Sequence, residues 1–143
     1  MNVKLKVSNG DLNLLPKKQT MGAACEDLVA NESTTILPHT HTLVGTGLFM
    51  EIPIGWEYQI RPRSGLAYKH GITVLNSPGT IDSDYRGEVK VMLINHSDVP
   101  FVITKYDRIA QGALRQVEEA EWELVDELED SDRGVGGFGH TGV

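Results

Sequence analysis

Arg86-Gly87-Glu88-Val89-Lys90-Val91-Met92-Leu93-Ile94-Asn95, resumed after a break by Phe101-Val102-Ile103, is the stretch on which the fold turns. Val89, Val91 and Leu93 recur at every second position, and so do Phe101 and Ile103. A period of two puts successive side chains on opposite faces, which is the pattern of a half-buried strand. Arg86-Gly87 breaks the chain before this run, and Asn95 to Pro100 breaks it after. The same alternation appears on either side of it. Val3, Leu5 and Val7 share one face, as do Trp56, Tyr58 and Ile60. Turn-forming residues cut the chain again at Asn9-Gly10, Asn31 to Ser33, Pro53 and Gly55, and Ser77-Pro78-Gly79. Short strands with frequent turns predict an all-β fold, a distorted jelly roll or barrel. One short helix is expected after Ser64, over Gly65 to His70. Ala120, Trp122 and Leu124 alternate with Glu121 and Glu123 and predict a last half-buried strand. Residues 1–125 then form the β domain, and 126–143 a charged linker followed by a glycine-rich arm.

Composition narrows the class. The 143 residues suit one domain with its own core. A net charge of -7 argues against a general nucleic-acid coat protein, because phosphate backbones demand basic surfaces. It leaves room for a small anionic ligand at a local basic cluster. Cys25 is the only cysteine, which excludes an intrachain disulfide and a cysteine-based zinc cluster. A reducing, cytoplasmic setting is expected. Met1 to Gly10 lacks the apolar region of a signal peptide, and no run approaches the roughly 20 apolar residues of a membrane span.

Four stretches carry candidate chemistry. Arg61-Pro62-Arg63-Ser64-Gly65-Leu66 brings two guanidinium groups, a hydroxyl and a glycine to the start of the helical turn. That set suits phosphate, and it equally suits a surface turn capped by Ser64. Asn76 to Gly87 reads as a tight hairpin bearing Asp82, Asp84 and Tyr85. Its backbone could pair with a flat base and a carboxylate on it could act as general base, or it is an ordinary turn. Asp107-Arg108-Ile109-Ala110-Gln111 says little alone. The tail from Arg133 to Val143 holds five glycines around a single aromatic, Phe138. Glycines allow close backbone approach to a triphosphate and a phenyl ring can stack on a base, while a disordered end is the plainer alternative. No Gly-Lys-Ser/Thr is present, so this is not a Walker A loop. His39 and His41 read as solvent-facing rather than as metal ligands.

In order and spacing, these stretches resemble the five motifs of the trimeric deoxyuridine triphosphatase family over nearly the whole chain. Ala24-Cys25-Glu26-Asp27-Leu28 resembles the first motif, Arg61 to Gly71 the second, Val74 to Val89 the third, Asp107 to Gln111 the fourth and Arg133 to Gly142 the fifth. The resemblance implies hydrolysis of dUTP to dUMP and diphosphate with Mg2+, lowering dUTP and supplying dUMP for thymidylate synthesis. It implies a homotrimer whose active sites are shared between neighbouring chains, with no nucleic-acid or membrane partner.

The implied roles follow the motifs. Arg63, Ser64 and Gly65 would bind the phosphates. Asn76 and the backbone around Gly79, Thr80 and Ile81 would read the uracil edge. Asp82 would hold and activate the attacking water, and Gln111 would support the phosphates and the polar network around it. Tyr85 would pack under the deoxyribose and exclude a 2′-hydroxyl. Lys90 would lie near the base-binding hairpin. Phe138 would stack over the uracil, with Arg133 and Thr141 on the γ-phosphate and Gly139 beside them in the arm. Asp27 would contact magnesium through water. The chain departs from the family at Cys25, where glycine is usual, and at Glu26, where an apolar or aromatic residue is usual. A dCTP deaminase of the same fold and a nucleotide-sensing binding protein are the competing readings.

Overall fold

A computed structural model describes residues 1–142; Val143, the last residue of the expected arm, lies outside the described residues. The alternating stretches before residue 117 form strands where the sequence places them. In chain order these are β1 (Lys4–Val7), β2 (Glu26–Val29), β3 (Thr34–Ile36), β4 (His41–Glu51), β5 (Trp56–Arg61), β6 (Ile72–Val74), β7 (Gly79–Ile81), β8 (Glu88–Asn95), β9 (Phe101–Ile103) and β10 (Arg108–Gln116). One helix, α1 (Ser64–His70), sits between β5 and β6. Two four-stranded sheets run in the orders β1-β4-β8-β6 and β2-β10-β5-β7, with β3 and β9 forming a third, two-stranded sheet. Every strand pair is antiparallel. This is a distorted jelly roll, with the inward residues of all three sheets in one apolar cluster. Val89, Val91 and Leu93 face Val44 and Leu48 from the neighbouring strand, and Leu28, Ile60, Ile103 and Ile109 complete the centre.

Local chemistry accounts for the irregular points. β4 and β8 slip register between Gly45 and Leu48. Gly47 lies there at φ 71°, and a side chain on it would strike Leu14 and Asn31, so only glycine fits the bulge. Thr46, buried within the bulge, donates its hydroxyl to the carbonyl of Val89 at 2.6 Å. Helix α1 ends at Gly71, whose left-handed backbone at φ 66° lets its N–H reach back to Ala67. Lys69 and His70 in the last turn complement the helix dipole. Ser64 is the first helical residue and makes no capping bond; Arg63, in extended conformation, holds the N-cap position. No helix among the described residues is long and apolar enough to cross a membrane.

Two expectations are corrected. Asn76 to Gly87 is not a hairpin whose arms pair with each other. β7 pairs with β5, whereas β8 pairs with β4 and β6, so the loop from Asp82 to Gly87 crosses between sheets. Turn residues look alike in a hairpin and in such a crossing, which is why sequence could not separate them. The strand expected over residues 120–124 is not formed. Regular structure ends with β10 at Gln116, and Trp122 and Leu124 are 91% and 100% exposed. A strand needs a ladder partner, and among the described residues no strand pairs with that segment.

Candidate functional site

The sheet crossing creates a cleft. The end of β7, the crossing loop and the start of β8 enclose about 270 Å³ lined by Thr80, Ile81, Asp82, Tyr85, Glu88 and Lys90, with Leu43 of β4 as its apolar wall. Tyr85 folds back so that its hydroxyl donates to the carbonyl of Glu88 at 3.1 Å. The N–H of Tyr85 bonds the carbonyl of Asp82 at 3.2 Å, and Arg86 clamps the carbonyls of Ser83 and Tyr85. The loop is therefore held by its own short-range bonds. Glu88 accepts from the N–H of Gly47 at 2.9 Å and lies 3.8 Å from the ammonium of Lys90. Asp82 points into solvent, and no hydrogen bond or ion pair engages its carboxylate among the described residues. β7 is the terminal strand of its sheet, so its outer edge offers backbone groups that no strand among the described residues takes up. Asn76 stands just before it, its amide over Gly79. A side chain at Gly79 would lie 3.3 Å from Ile60 and 3.4 Å from the Asn76 amide.

A second polar group forms on the sheet itself. Gln111 of β10 is registered opposite Asp27 of β2 on one side and Arg61 of β5 on the other. Residues opposite one another in a sheet point to the same face, so this row gathers side chains far apart in sequence. The Gln111 amide donates to Asp27 Oδ1 at 3.1 Å, Arg108 approaches Asp27 Oδ2 at 3.2 Å, and Arg63 Nε lies 3.5 Å from Oδ1. Arg63 also donates to the carbonyl of Arg108 at 3.0 Å. Asp27 is buried, while Arg63 and Arg108 remain partly exposed. Ser64 and Gly65 follow Arg63 in the exposed first turn of α1. Lys17, Gln19 and Tyr106 line a groove of about 530 Å³ beside Asp27 and Arg108.

The two departures in the first motif fit this sheet. Cys25 does not have the left-handed backbone that would require glycine. Its sulfur lies 4.0 Å from the Arg61 guanidinium. Glu26 accepts the Tyr58 hydroxyl at 3.1 Å. Burial raises the Tyr58 phenol far above its ordinary range, and the Glu26 carboxylate adds to the shift. Gly112 of β10 makes room for this ring, since any side chain there would collide with it.

The arm joins neither group. Arg133 Nε bonds the carbonyl of Gly136 at 2.8 Å, His140 folds over Gly136, and short turns run through Gly134 and Gly142. Phe138 and Thr141 are bare to solvent, as is Gly139. A single chain thus brings Thr80, Ile81, Asp82, Tyr85 and Lys90 together in one cleft. It joins Asp27, Arg63 and Gln111 in another group and leaves Arg133, Phe138, Gly139 and Thr141 apart. Arg108, Glu88 and Leu43 were not singled out from sequence. Glu88 had a signal, because it shares the outward face of β8 with Lys90.

Fold and cleft together define a jelly-roll β protein carrying a small pocket at a sheet crossing and, separate from it, a guanidinium-rich group around Asp27. The sequence profile described as dUTPase matches residues 13–142. The deoxyuridine 5′-triphosphate nucleotidohydrolase of Nautilia profundicola is 57% identical over 142 residues, covering 99% of both chains. That of Cytophaga hutchinsonii is 54% identical over 144 residues, covering 99% of this chain and 94% of the relative. Among solved structures, the dUTPase of Streptococcus mutans matches with a TM-score of 0.77 at 29% identity, over 82% of this chain and 98% of its own. The Staphylococcus bacteriophage 80alpha dUTPase with dUPNHPP shares the fold at a TM-score of 0.88 and 23% identity, over 99% of each. The chain belongs to the dUTPase family.

Proposed function

We propose that this chain hydrolyses dUTP to dUMP and diphosphate, with Asp82 as the base and Mg2+ accompanying the triphosphate. The reaction lowers dUTP and yields dUMP for thymidylate synthesis. The observation that carries the reading is the cleft that sets the free edge of β7 beside Asp82 and Tyr85. The β7 edge presents donors and acceptors in fixed alternation, which a uracil edge can satisfy and a cytosine edge mismatches at its exocyclic amine. Asn76, over Gly79, supplies a side-chain amide to the same edge. Tyr85 lays its ring where the sugar would follow the base, and a 2′-hydroxyl would meet that ring. Asp82, exposed and unpaired, is free to take a proton from a water. The water oxygen bonds the α-phosphorus, the bond to the oxygen bridging to the β-phosphorus breaks, diphosphate leaves, and the proton passes to Asp82.

Arg63, with Ser64 and Gly65 beside it, is the phosphate-facing group of this reading, and Gln111 holds Asp27 in the same network. Both oxygens of Asp27 are already engaged by Arg108 and Gln111. A further cation would therefore be reached through water, the manner in which Mg2+ is commonly held beside phosphates. When bound with the triphosphate, the ion neutralises phosphate charge. The arm supplies Phe138 as a stacking ring and Arg133 and Thr141 for the terminal phosphate, with Gly139 beside them.

A homotrimer with shared sites is part of the proposal. The cleft, the guanidinium face and the arm do not meet in one chain. Trp122, Leu124 and Leu128 are nearly bare among the described residues, and β1 is a terminal strand of its sheet. Neighbouring copies would supply the missing partners. Purified protein given dUTP, UTP, dTTP and dCTP tests the reaction by diphosphate release, with ammonia release from dCTP as the deaminase control. Preferred turnover of dUTP supports the reading, and equal turnover of UTP or ammonia from dCTP overturns it. Light scattering that reported a fully active monomer would overturn the assembly.

A further inference from the structure

Gly87 closes the crossing loop, two residues after Tyr85. Its φ lies outside the left-handed region, so the backbone does not demand glycine there. Space does. A Cβ built on Gly87 would lie 2.5 Å from Cζ of Tyr85, 3.0 Å from Cε2 and closer still to the hydroxyl oxygen. No backbone atom is among these nearest neighbours. The missing side chain thus makes the flat bed on which the Tyr85 ring rests, with its hydroxyl anchored on the carbonyl of the next residue, Glu88.

We propose that Gly87 is a specificity-setting positioning residue that fixes the height of the Tyr85 ring in the cleft. This rests on the reading of Tyr85 as the ring that faces the sugar. Ordinary carbon–carbon contact is about 3.5–4.0 Å, so an alanine at this position moves the ring by about 1 Å or more. The ring is 45% exposed, so it shifts toward solvent or sideways rather than into packed core. Its hydroxyl bond to Glu88 breaks in the process. The displaced ring uncovers room for a 2′-hydroxyl, which erodes the distinction between dUTP and UTP. Gly87 touches no reacting atom in this scheme and acts only through Tyr85.

The test uses full-length wild type, Gly87→Ala, Tyr85→Ala and the double variant. For each, kcat/KM is measured on dUTP and on UTP, with the thermal midpoint alongside. Gly87→Ala is expected to melt within a few degrees of wild type and to lower the dUTP-to-UTP ratio by about tenfold or more, within the range steric pockets command. In the Tyr85→Ala background, adding Gly87→Ala is expected to leave the ratio unchanged, because the ring it displaces is gone. A Gly87→Ala protein that keeps the wild-type ratio overturns the proposal while leaving the proposed reaction intact. So does an unfolded or strongly destabilised Gly87→Ala, or a further drop in the double variant, since each would give Gly87 a role apart from Tyr85. A wild type that does not prefer dUTP, or a Tyr85→Ala protein with an undiminished ratio, overturns the reading of Tyr85 and this proposal together.

Discussion

Replacing Asp27 by alanine removes the one carboxylate between two guanidinium groups. The wild-type side chain is buried, with oxygens 3.2 Å from Arg108, 3.1 Å from the Gln111 amide and 3.5 Å from Arg63. Breaking a fully buried pair by removing one partner costs about 3–5 kcal/mol. The full figure does not apply here, because the Arg63 and Arg108 side chains are 23% and 48% exposed and can turn toward water. The Gln111 amide, held within the sheet between Asp27 and Arg61, is less able to do so. Weighing these, Asp27→Ala should destabilise by about 1–3 kcal/mol, or roughly 3–10 °C in thermal midpoint for a chain of this size. Thermal and denaturant unfolding of Asp27→Ala, Arg108→Ala and the double variant measure it. The two single costs should sum to more than the double cost, because both remove the same pair. Unfolding of Asp27→Ala indistinguishable from wild type would refute the argument, since the two arginines would then be equally content without their counter-ion.

Three further outcomes are expected. Asp82→Asn keeps the shape of the cleft and removes the proton acceptor, so dUTP turnover should fall about 10²- to 10⁴-fold while a non-hydrolysable analogue still binds; near-normal turnover would assign the water to another group. Tyr58→Phe should alter alkaline stability in a defined direction. The folded phenol is raised above its ordinary value of 10.0 by burial and by Glu26, so its contribution is whole below pH 10 and is lost as pH climbs toward the folded value. Wild type should therefore lose about 1.4 kcal/mol per pH unit above pH 10 from this group, and Tyr58→Phe should lack that slope; parallel pH curves for the two proteins would refute it. Deleting the chain after Asp132 should leave the thermal midpoint unchanged, because the arm is not hydrogen-bonded to the cleft or the sheets among the described residues, yet slow dUTP turnover; undiminished turnover would make the arm a passive tail.

The β architecture was legible because burial and period coincide. Val89, Val91 and Leu93 alternate in sequence and are fully buried in the fold, and the same holds for Tyr58 and Ile60. The cleft was half legible. Asp82, Tyr85 and Lys90 stand close along the chain, so motif spacing carries them, whereas Leu43 reaches the same cleft only through the register of β4 against β8. The Asp27 group was the least legible from residue chemistry alone. Asp27 and Gln111 meet because β2 and β10, from distant parts of the chain, set them opposite one another, and no local pattern encodes that register. At Cys25 the family resemblance raised a question that geometry answers: the position is not left-handed, so glycine is not needed there.

Residues 120–124 pose the opposite case. Their alternation reads as a half-buried strand, yet in one chain Trp122 and Leu124 are bare. A period of two encodes a buried face without naming what buries it. Sequence pattern takes that face to come from the same chain, and among the described residues none covers this segment. The arm presents the same logic at the level of the site. Phe138 and Arg133 are chemically suited to a base and a phosphate but touch neither the cleft nor the guanidinium face. Ordering that glycine-rich arm costs about 1–2 kcal/mol per residue, so the arm role proposed above needs new contacts that offset the cost. In the homotrimer proposed above, a neighbouring chain covers the apolar stripe and a nucleotide receives the arm. In that proposal both bare segments have one physical origin, a stretch beyond β10 written for a surface that another copy provides.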